Sequence, residues 1–276
     1  MLSEGFSQNS ILQSKGSVNP YVNWKDLANY EFLLPPKDQQ ARLAELLWAG
    51  DAVVEKLIRV QQSIDTSIWA SVKSSRERLQ KSPFVLLQEL IDGITAGVSV
   101  RCQKESTEKD SKFVLKTSSV TGRSFDPYEA KSILPSQYNR LKDPVRKGTI
   151  LINRKNTPEL VGKTKFIEKD YPNTYLPDLI WEIKANENRV APRFLWYYLS
   201  STFFRSQIRS IYSGTSLSMV NISQKRFLSL KLKIPSKRQQ KAELVRLKKL
   251  ELALDATRNK ITASKALQKS LINQIF

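Results

Sequence analysis

The chain has 276 residues, 40% of them hydrophobic, which is enough for a buried core and argues against wholesale disorder. Lys and Arg outnumber Asp and Glu 45 to 26, giving +19, and the excess is segregated. Residues 1–82 hold 10 basic and 9 acidic residues, 83–235 hold 25 and 14, and 236–276 hold 10 and 3. A basic protein that is merely soluble has no reason to sort its charge this way, so a polyanion partner is the favoured reading. One cysteine, Cys102, excludes an intrachain disulfide, and the absence of histidine excludes Ser-His and Cys-His catalysis. With no apolar run of about 18 residues and no basic-then-apolar leader, the sequence predicts a cytoplasmic protein with no membrane contact.

Residues 1–29 are polar and rich in turn formers and do not read as the start of a domain. YEFLLPP (30–36) reads as a short strand stopped by Pro35 and Pro36. Asp38 then caps a helical stretch reaching Gln80, with Leu43, Leu57 and Ile64 in one heptad row through Gly50, and Leu46, Val53 and Val60 in a second. Two such rows predict a coiled-coil seam, and a helix of about 40 residues, about 60 Å long, exceeds most globular cores. An ordinary amphipathic helix against a core is the alternative.

Lys81-Ser82-Pro83 breaks the helix, and the texture changes. FVLLQELIDGITAG reads as a brief strand or helix. Strands are predicted at 113–120, 148–153, 163–168, 179–184 and 226–235, with one amphipathic helix over 193–213. Phe194, Tyr197, Tyr198, Phe204, Ile208 and Ile211 fall near one stripe of that helix, a core pattern rather than a base-stacking platform; Trp181 is likewise expected to be packed. From Lys237 a second heptad helix runs to the end, with Leu247, Leu254 and Ile261 seven apart and Leu250, Leu267, Leu271 and Ile275 alongside. The fold class is α+β, one globular mixed α/β domain flanked by two long helices.

An internal repeat organises the chain. FLLPPKDQQARLAEL (32–46) and LKIPSKRQQKAEL (232–244) share an apolar segment, a proline, a basic residue and a Gln-Gln pair opening a heptad helix. Pro35, Lys37, Gln39 and Gln40 match Pro235, Lys237, Gln239 and Gln240 at an offset of 200, followed by the seam residues Leu47 with Leu247 and Val54 with Leu254. That period is too long for a solenoid and implies a duplicated half-molecule.

Base edges are read by planar groups such as Arg, Asn and Gln, with Lys, Ser and Thr fixing phosphates. Two loops carry that set. One presents Asn153, Arg154, Lys155, Asn156, Thr157 and Lys163 just past a predicted strand; the other presents Ser118, Thr121 and Arg123 around Gly122. Solvated loops are the bland alternative. SGTSLSMVN (213–221) is a third candidate, with a structural turn the favoured reading. Catalytic patterns are weak. Asp178, Glu182 and Lys184 imitate a nuclease metal set, but only three residues separate the two carboxylates. Asn19-Pro20-Tyr21 lacks the second proline of an adenine methyltransferase motif, and no Gly-x-Gly turn or P-loop exists. No cofactor and no metal are expected.

The blocks PFVLLQELIDGITAG, FVLKTSSVTGRSFDPYEAK, VRKGTILINRKNTPELVGKT and GTSLSMVNISQKRFLSLKLKIPSKRQQ, in that order and spacing, resemble the specificity subunit of type I restriction-modification systems, over about residues 14–276. The resemblance implies a remnant end of a first recognition domain (1–36), a coiled-coil helix (37–82), a target recognition domain (83–236) and a second coiled-coil helix (237–276), the helices packing antiparallel. It implies a subunit missing most of its first recognition domain: a truncated product, a recombination cassette, or a half-subunit acting as a homodimer. Its partners would be double-stranded DNA, methyltransferase subunits and, through them, restriction subunits, with no catalytic centre of its own. Trp48, Ile68 and Trp69, read as lying outside the seam, are candidates for docking the methyltransferase. A coiled-coil scaffold, or an inactive cassette that binds methyltransferase without reading DNA, is the competing reading.

Overall fold

The computed structural model describes residues 3–77, 83–103, 110–122, 124–214 and 219–275. The chain divides into two compact units, Met1–Ile68 with Lys248–Phe276, and Trp69–Leu247. No described helix is long and apolar enough to cross a membrane.

The first unit opens with α1 (Glu4–Leu12), capped by the Ser3 hydroxyl, and α2 (Trp24–Ala28). The long helix α3 (Lys37–Glu77) follows Pro35-Pro36, and α8 (Lys237–Ile275) is its late counterpart. Heptad packing is evident in which residues are buried: Val54, Gln61 and Ile68 on α3, seven apart, and Leu254 and Gln268 on α8, fourteen apart. The Gln268 amide donates to Asp51 Oδ1 at 2.9 Å, placing the last third of α8 beside the first half of α3, as an antiparallel pair requires. At the same end the Glu4 amide donates to Asn273.

Burial corrects the predicted seam. The row Leu46, Val53, Val60 is 54%, 49% and 48% exposed; the buried row lies one residue later, through Val54, Gln61 and Ile68. The repeat already places Leu47 and Val54 on this row, and Gln61 interrupts its apolar pattern further along. Ile68 is therefore a seam residue rather than a docking residue, while Trp48 is 71% exposed. On α8 the predicted row lies inward, with Leu247 and Leu254 buried and Gln268 continuing it, while Leu267, expected alongside, is exposed.

The second unit is built around a four-stranded sheet. After β1 (Val85–Leu86) and a 3-10 turn, β2 (Ile91–Ala96) starts the sheet. There follow β3 (Phe113–Leu115), α4 (Ser118–Thr121), β4 (Ala130–Ser132), β5 (Ile150–Asn153), β6 (Lys155–Asn156), β7 (Thr164–Phe166), β8 (Thr174–Tyr175) and β9 (Ile180–Ala185). Then come α5 (Pro192–Ser200), α6 (Thr202–Ile211), β10 (Val220–Asn221), α7 (Gln224–Leu228) and β11 (Lys231–Leu232). The main sheet has order β2-β9-β5-β7, antiparallel throughout, and a smaller sheet has order β4-β3-β8. Every residue of β5 is buried, as both faces of a central strand covered by packing demand. Ile150 and Ile152 face the cluster containing Phe194, Tyr198, Phe204 and Phe227; Leu151 faces a second cluster with Leu115, Val120 and Ile167. The aromatic stripe and Trp181 are core, as expected.

Three predicted elements take other forms. The helix expected over 193–213 is two helices, because Ser201 adopts an extended backbone and caps α6 by accepting from the Phe204 amide. The strand expected over 113–120 stops at Leu115, where Ser119 bonds back to the Lys116 carbonyl and the chain turns into α4. The strand expected over 226–235 is α7 followed by a two-residue strand paired with Val85–Leu86.

The repeat is structural. Helix α2 lies at the same offset of 200 from α7 as the sequence match. Gln40 Nε2 donates to the Pro35 carbonyl at 2.7 Å, and Gln240 Nε2 to the Pro235 carbonyl at 2.9 Å. The Tyr30 amide donates to Leu27 as the Leu230 amide donates to Phe227, both at 3.2 Å. The copies differ in what surrounds them. Residues 30–36 form no strand, because a strand needs a partner, and none among the described residues pairs with them, whereas β11 has β1.

Candidate nucleic-acid interface

The strand β5 delivers the chain to Asn153, and the hairpin between β5 and β7 carries most of the candidate readers. Its base is closed by reciprocal bonds: Asn153 N to the Lys163 carbonyl at 2.9 Å and Gly162 N to the Asn153 carbonyl at 2.7 Å. Inside it, the Leu160 and Val161 amides donate to the Thr157 carbonyl, a tight turn begun by Thr157-Pro158. Gly162 completes the return with φ +74°, a left-handed value that favours glycine, and a Cβ there would stand 2.7 Å from Ile208 Cγ2.

The candidate residues divide by environment. Asn153 is fully buried, with neither amide atom hydrogen-bonded among the described residues, so its side chain cannot reach a base edge from this position. The expectation failed there because a residue at a strand end reads in sequence like a loop residue. Arg154 is half-buried; its Nε donates to the Asp178 carbonyl at 2.6 Å and its guanidinium lies 5.9 Å from the Trp181 ring centroid. Lys155 and Asn156 form β6, which pairs antiparallel with Asn221 and Val220. The Lys155 side chain, unlike its backbone in the β6–β10 pairing, has no hydrogen bond or ion pair to a described residue. The Asn156 Oδ1 accepts from the Thr157 amide at 2.8 Å, which orients the amide plane and leaves its NH2 group available.

The second loop is joined to the first. Lys163 Nζ donates to the Thr121 carbonyl at 3.0 Å, tying the end of α4 to the hairpin base. Thr121 is partly exposed, its hydroxyl 3.4 Å from the Ser118 carbonyl. Ser118 is exposed and donates to Glu129 Oε2 at 2.5 Å. That bond, together with Lys116, holds the Glu129 carboxyl below the usual carboxylate range, so Ser118 faces a committed negative charge. Arg123 lies outside the described residues. The third candidate segment meets the hairpin through β6 and β10, with Ser213 bridged to Asn221; residues 215–218 lie outside the description.

Sequence reasoning missed Arg205 on α6, whose Nη1 and Nη2 donate to the Val161 and Glu159 carbonyls at 2.8 and 2.5 Å, inside the hairpin. Burial lowers its guanidinium from the usual range, Arg209 adding to the effect, although arginine remains cationic. On a helix with its apolar stripe elsewhere, such a residue reads as solvated; only the close approach of Gly162 to Ile208 hints at it.

A separate cleft of about 460 Å³ lies on the sheet, lined by Asp92, Thr95, Asp143, Arg146, Glu182 and Lys184 among others. Burial, then Asp143, pushes Glu182 up to about 7. Asp178 does not line the cleft, and no group of described His, Cys, Asp and Glu side chains could hold a metal ion. The nuclease-like spacing of Asp178, Glu182 and Lys184 is thus not assembled into one site.

The family model for the type I restriction modification DNA specificity domain matches residues 98–264. The type I restriction enzyme MjaVIII specificity subunit of Methanocaldococcus jannaschii is 24% identical over 281 residues, covering 96% of this chain; the chain spans 65% of that relative's length. Among solved structures, the S subunit of a type I restriction-modification system from M. genitalium superposes with a TM-score of 0.55 at 14% identity, over 99% of this chain and 72% of its own. A chain from a structural study of complex assembly and conformational transition of the type I R-M system gives 0.55 at 16% identity, over 99% and 68%. The two structural likenesses concern the fold, and the family match covers most of the second unit and over half of the chain: the protein belongs to the type I restriction-modification DNA specificity family.

Proposed function

We propose that the chain is a non-catalytic, sequence-reading subunit of a type I restriction-modification complex, cytoplasmic, which directs methyltransferase and restriction subunits to a double-stranded DNA site. The observation that carries this reading is the convergence of three polar segments chosen from sequence. The Lys163–Thr121 bond joins the 118–121 turn to the 153–164 hairpin, and β6–β10 pairing joins that hairpin to the 213–221 segment. The DNA-facing set is then Ser118, Thr121, Arg123, Arg154, Lys155, Asn156, Thr157 and Lys163, with Asn153 supporting the hairpin from inside. Asn156 supplies a planar amide suited to adenine, and Lys155 a charge suited to phosphate.

In this reading residues 83–236 form the recognition domain, 37–82 and 237–276 the spacer helices, and 1–36 the end of another recognition domain. The exposed row Leu46, Val53, Val60 is an apolar stripe outside the seam and fits a methyltransferase subunit docked on α3. Selection from a random duplex pool, using the chain co-expressed with its methyltransferase subunit, tests the proposal. Enrichment of a short half-site is expected, and an inverted duplicate at fixed spacing would identify a homodimer. A stable protein complex without enrichment would leave a scaffold, the reading that the exposed stripe alone favours.

A further inference from the structure

The hairpin of residues 153–163 is braced from behind by one side chain. It carries Lys155, Asn156 and Thr157 on a two-residue strand and a tight turn, elements too short to fix their own geometry. The Val161 and Glu159 carbonyls point inward to the two terminal nitrogens of Arg205. A guanidinium is suited to this, because its planar fork holds two acceptors at a fixed separation, which a single ammonium does not. One turn further along α6, Ile208 fills the space a Cβ on Gly162 would need, so the same helix sets both the position and the direction of the chain's return. The opposite side of the hairpin is held by Lys163 on Thr121.

We infer that Arg205 is a positioning residue for base recognition: by clamping Glu159 and Val161 from α6 it fixes the hairpin that presents Lys155, Asn156 and Thr157, and so sets sequence discrimination without touching DNA. The inference rests on the proposed DNA-reading function. It separates from a general role in stability because the clamp acts on one loop, and because the phosphate-binding charge lies elsewhere on that loop.

The test combines two measurements on the chain in complex with its methyltransferase subunit, using wild type, Arg205→Lys, Arg205→Ala and Gly162→Ala. Hydrogen exchange reports hairpin order whether or not DNA binds. In Arg205→Ala the Leu160 and Val161 amides should exchange at least about tenfold faster, with β5 and β9 unchanged. Binding is then measured on the duplex that wild type enriches from the random pool and on its single-base variants. Discrimination between them should fall about tenfold in Arg205→Ala and less in Arg205→Lys, while the salt dependence of binding stays as in wild type. Gly162→Ala should give the same pairing of faster exchange and lost discrimination without changing any charge, and serves where Arg205→Ala does not fold. Unchanged exchange at Leu160 and Val161 in a folded Arg205→Ala protein, or faster exchange with full discrimination, overturns the inference. If wild type enriches no duplex, the DNA-reading function itself falls, and the clamp's part in specificity with it.

Discussion

The two copies of the repeat, residues 22–47 and 222–247, carry the same local instructions and meet different surroundings. In both, a short helix precedes the apolar segment, a proline ends that segment, and a glutamine amide folds back on the proline carbonyl to open a long helix. In the second copy Phe227 and Leu232 are fully buried, β11 pairs with β1, and Gln240 also accepts from the Ala191 amide and donates to the Arg189 carbonyl. In the first copy Phe32 is 50% exposed and Gln40 keeps its proline bond alone among the described residues. The comparison separates what the chain does by local chemistry from what a packed domain adds. Turn and helix start form in both; the side-chain cap, Ser223 accepting from the Arg226 amide, strand pairing and deep burial form only in the second.

The largest expected difference lies in the apolar anchors. Phe227→Ala should cost about 3–5 kcal/mol in denaturant unfolding, through lost burial and a cavity beside Phe204 and Trp181. Its counterpart Leu27→Ala should cost less, about 1–2 kcal/mol, since Leu27 is only partly buried. Equal effects would break the distinction between the copies.

The glutamines sharpen it. Gln240→Ala removes three bonds and leaves the part-buried Ala191 amide unpaired, at a cost of about 2–3 kcal/mol. Gln40→Ala removes one part-buried bond, at about 0.5–1.5 kcal/mol. The same unfolding curves measure both.

A smaller effect depends on pH and belongs to the sheet of the second unit alone. Glu182 titrates near 7 when folded, against its ordinary 4.5, so between these values the folded state binds the extra proton. Stability therefore falls as pH rises from 4.5 to 7. The cleft is part-open, which screens the effect to about 1–2 kcal/mol. Glu182→Gln should flatten this fall in unfolding free energy measured at pH 5 and pH 7.5; an unchanged slope would assign it to other groups.

Much of this division is legible in the sequence. The matched Pro35/Pro235 and Gln40/Gln240 positions predict matched helix starts, and the short apolar segments predict β5, β7 and β9. What is not legible depends on partners distant in the chain. FLLPP and LKIPS both read as proline-stopped strand ends, yet among the described residues only the second pairs, with Val85–Leu86. On α3 the row Leu46, Val53, Val60 is exposed because Gln61 occupies a buried position that apolar patterning assigns to Val60. At the interface, the polar loops were visible as composition. The burial of Asn153 and the clamp by Arg205 follow from how the hairpin folds onto α6, which residue type does not encode.

The central claim, that the 153–164 hairpin reads DNA, is tested most directly by equilibrium binding of Asn156→Ala and Lys155→Ala to the selected duplex and its single-base variants across a salt series. Asn156→Ala should lose about 1–3 kcal/mol of discrimination at one base pair and keep its salt slope. Lys155→Ala should bind all duplexes more weakly, with a slope smaller by about 1. Discrimination and salt slope unchanged in both variants would contradict the account.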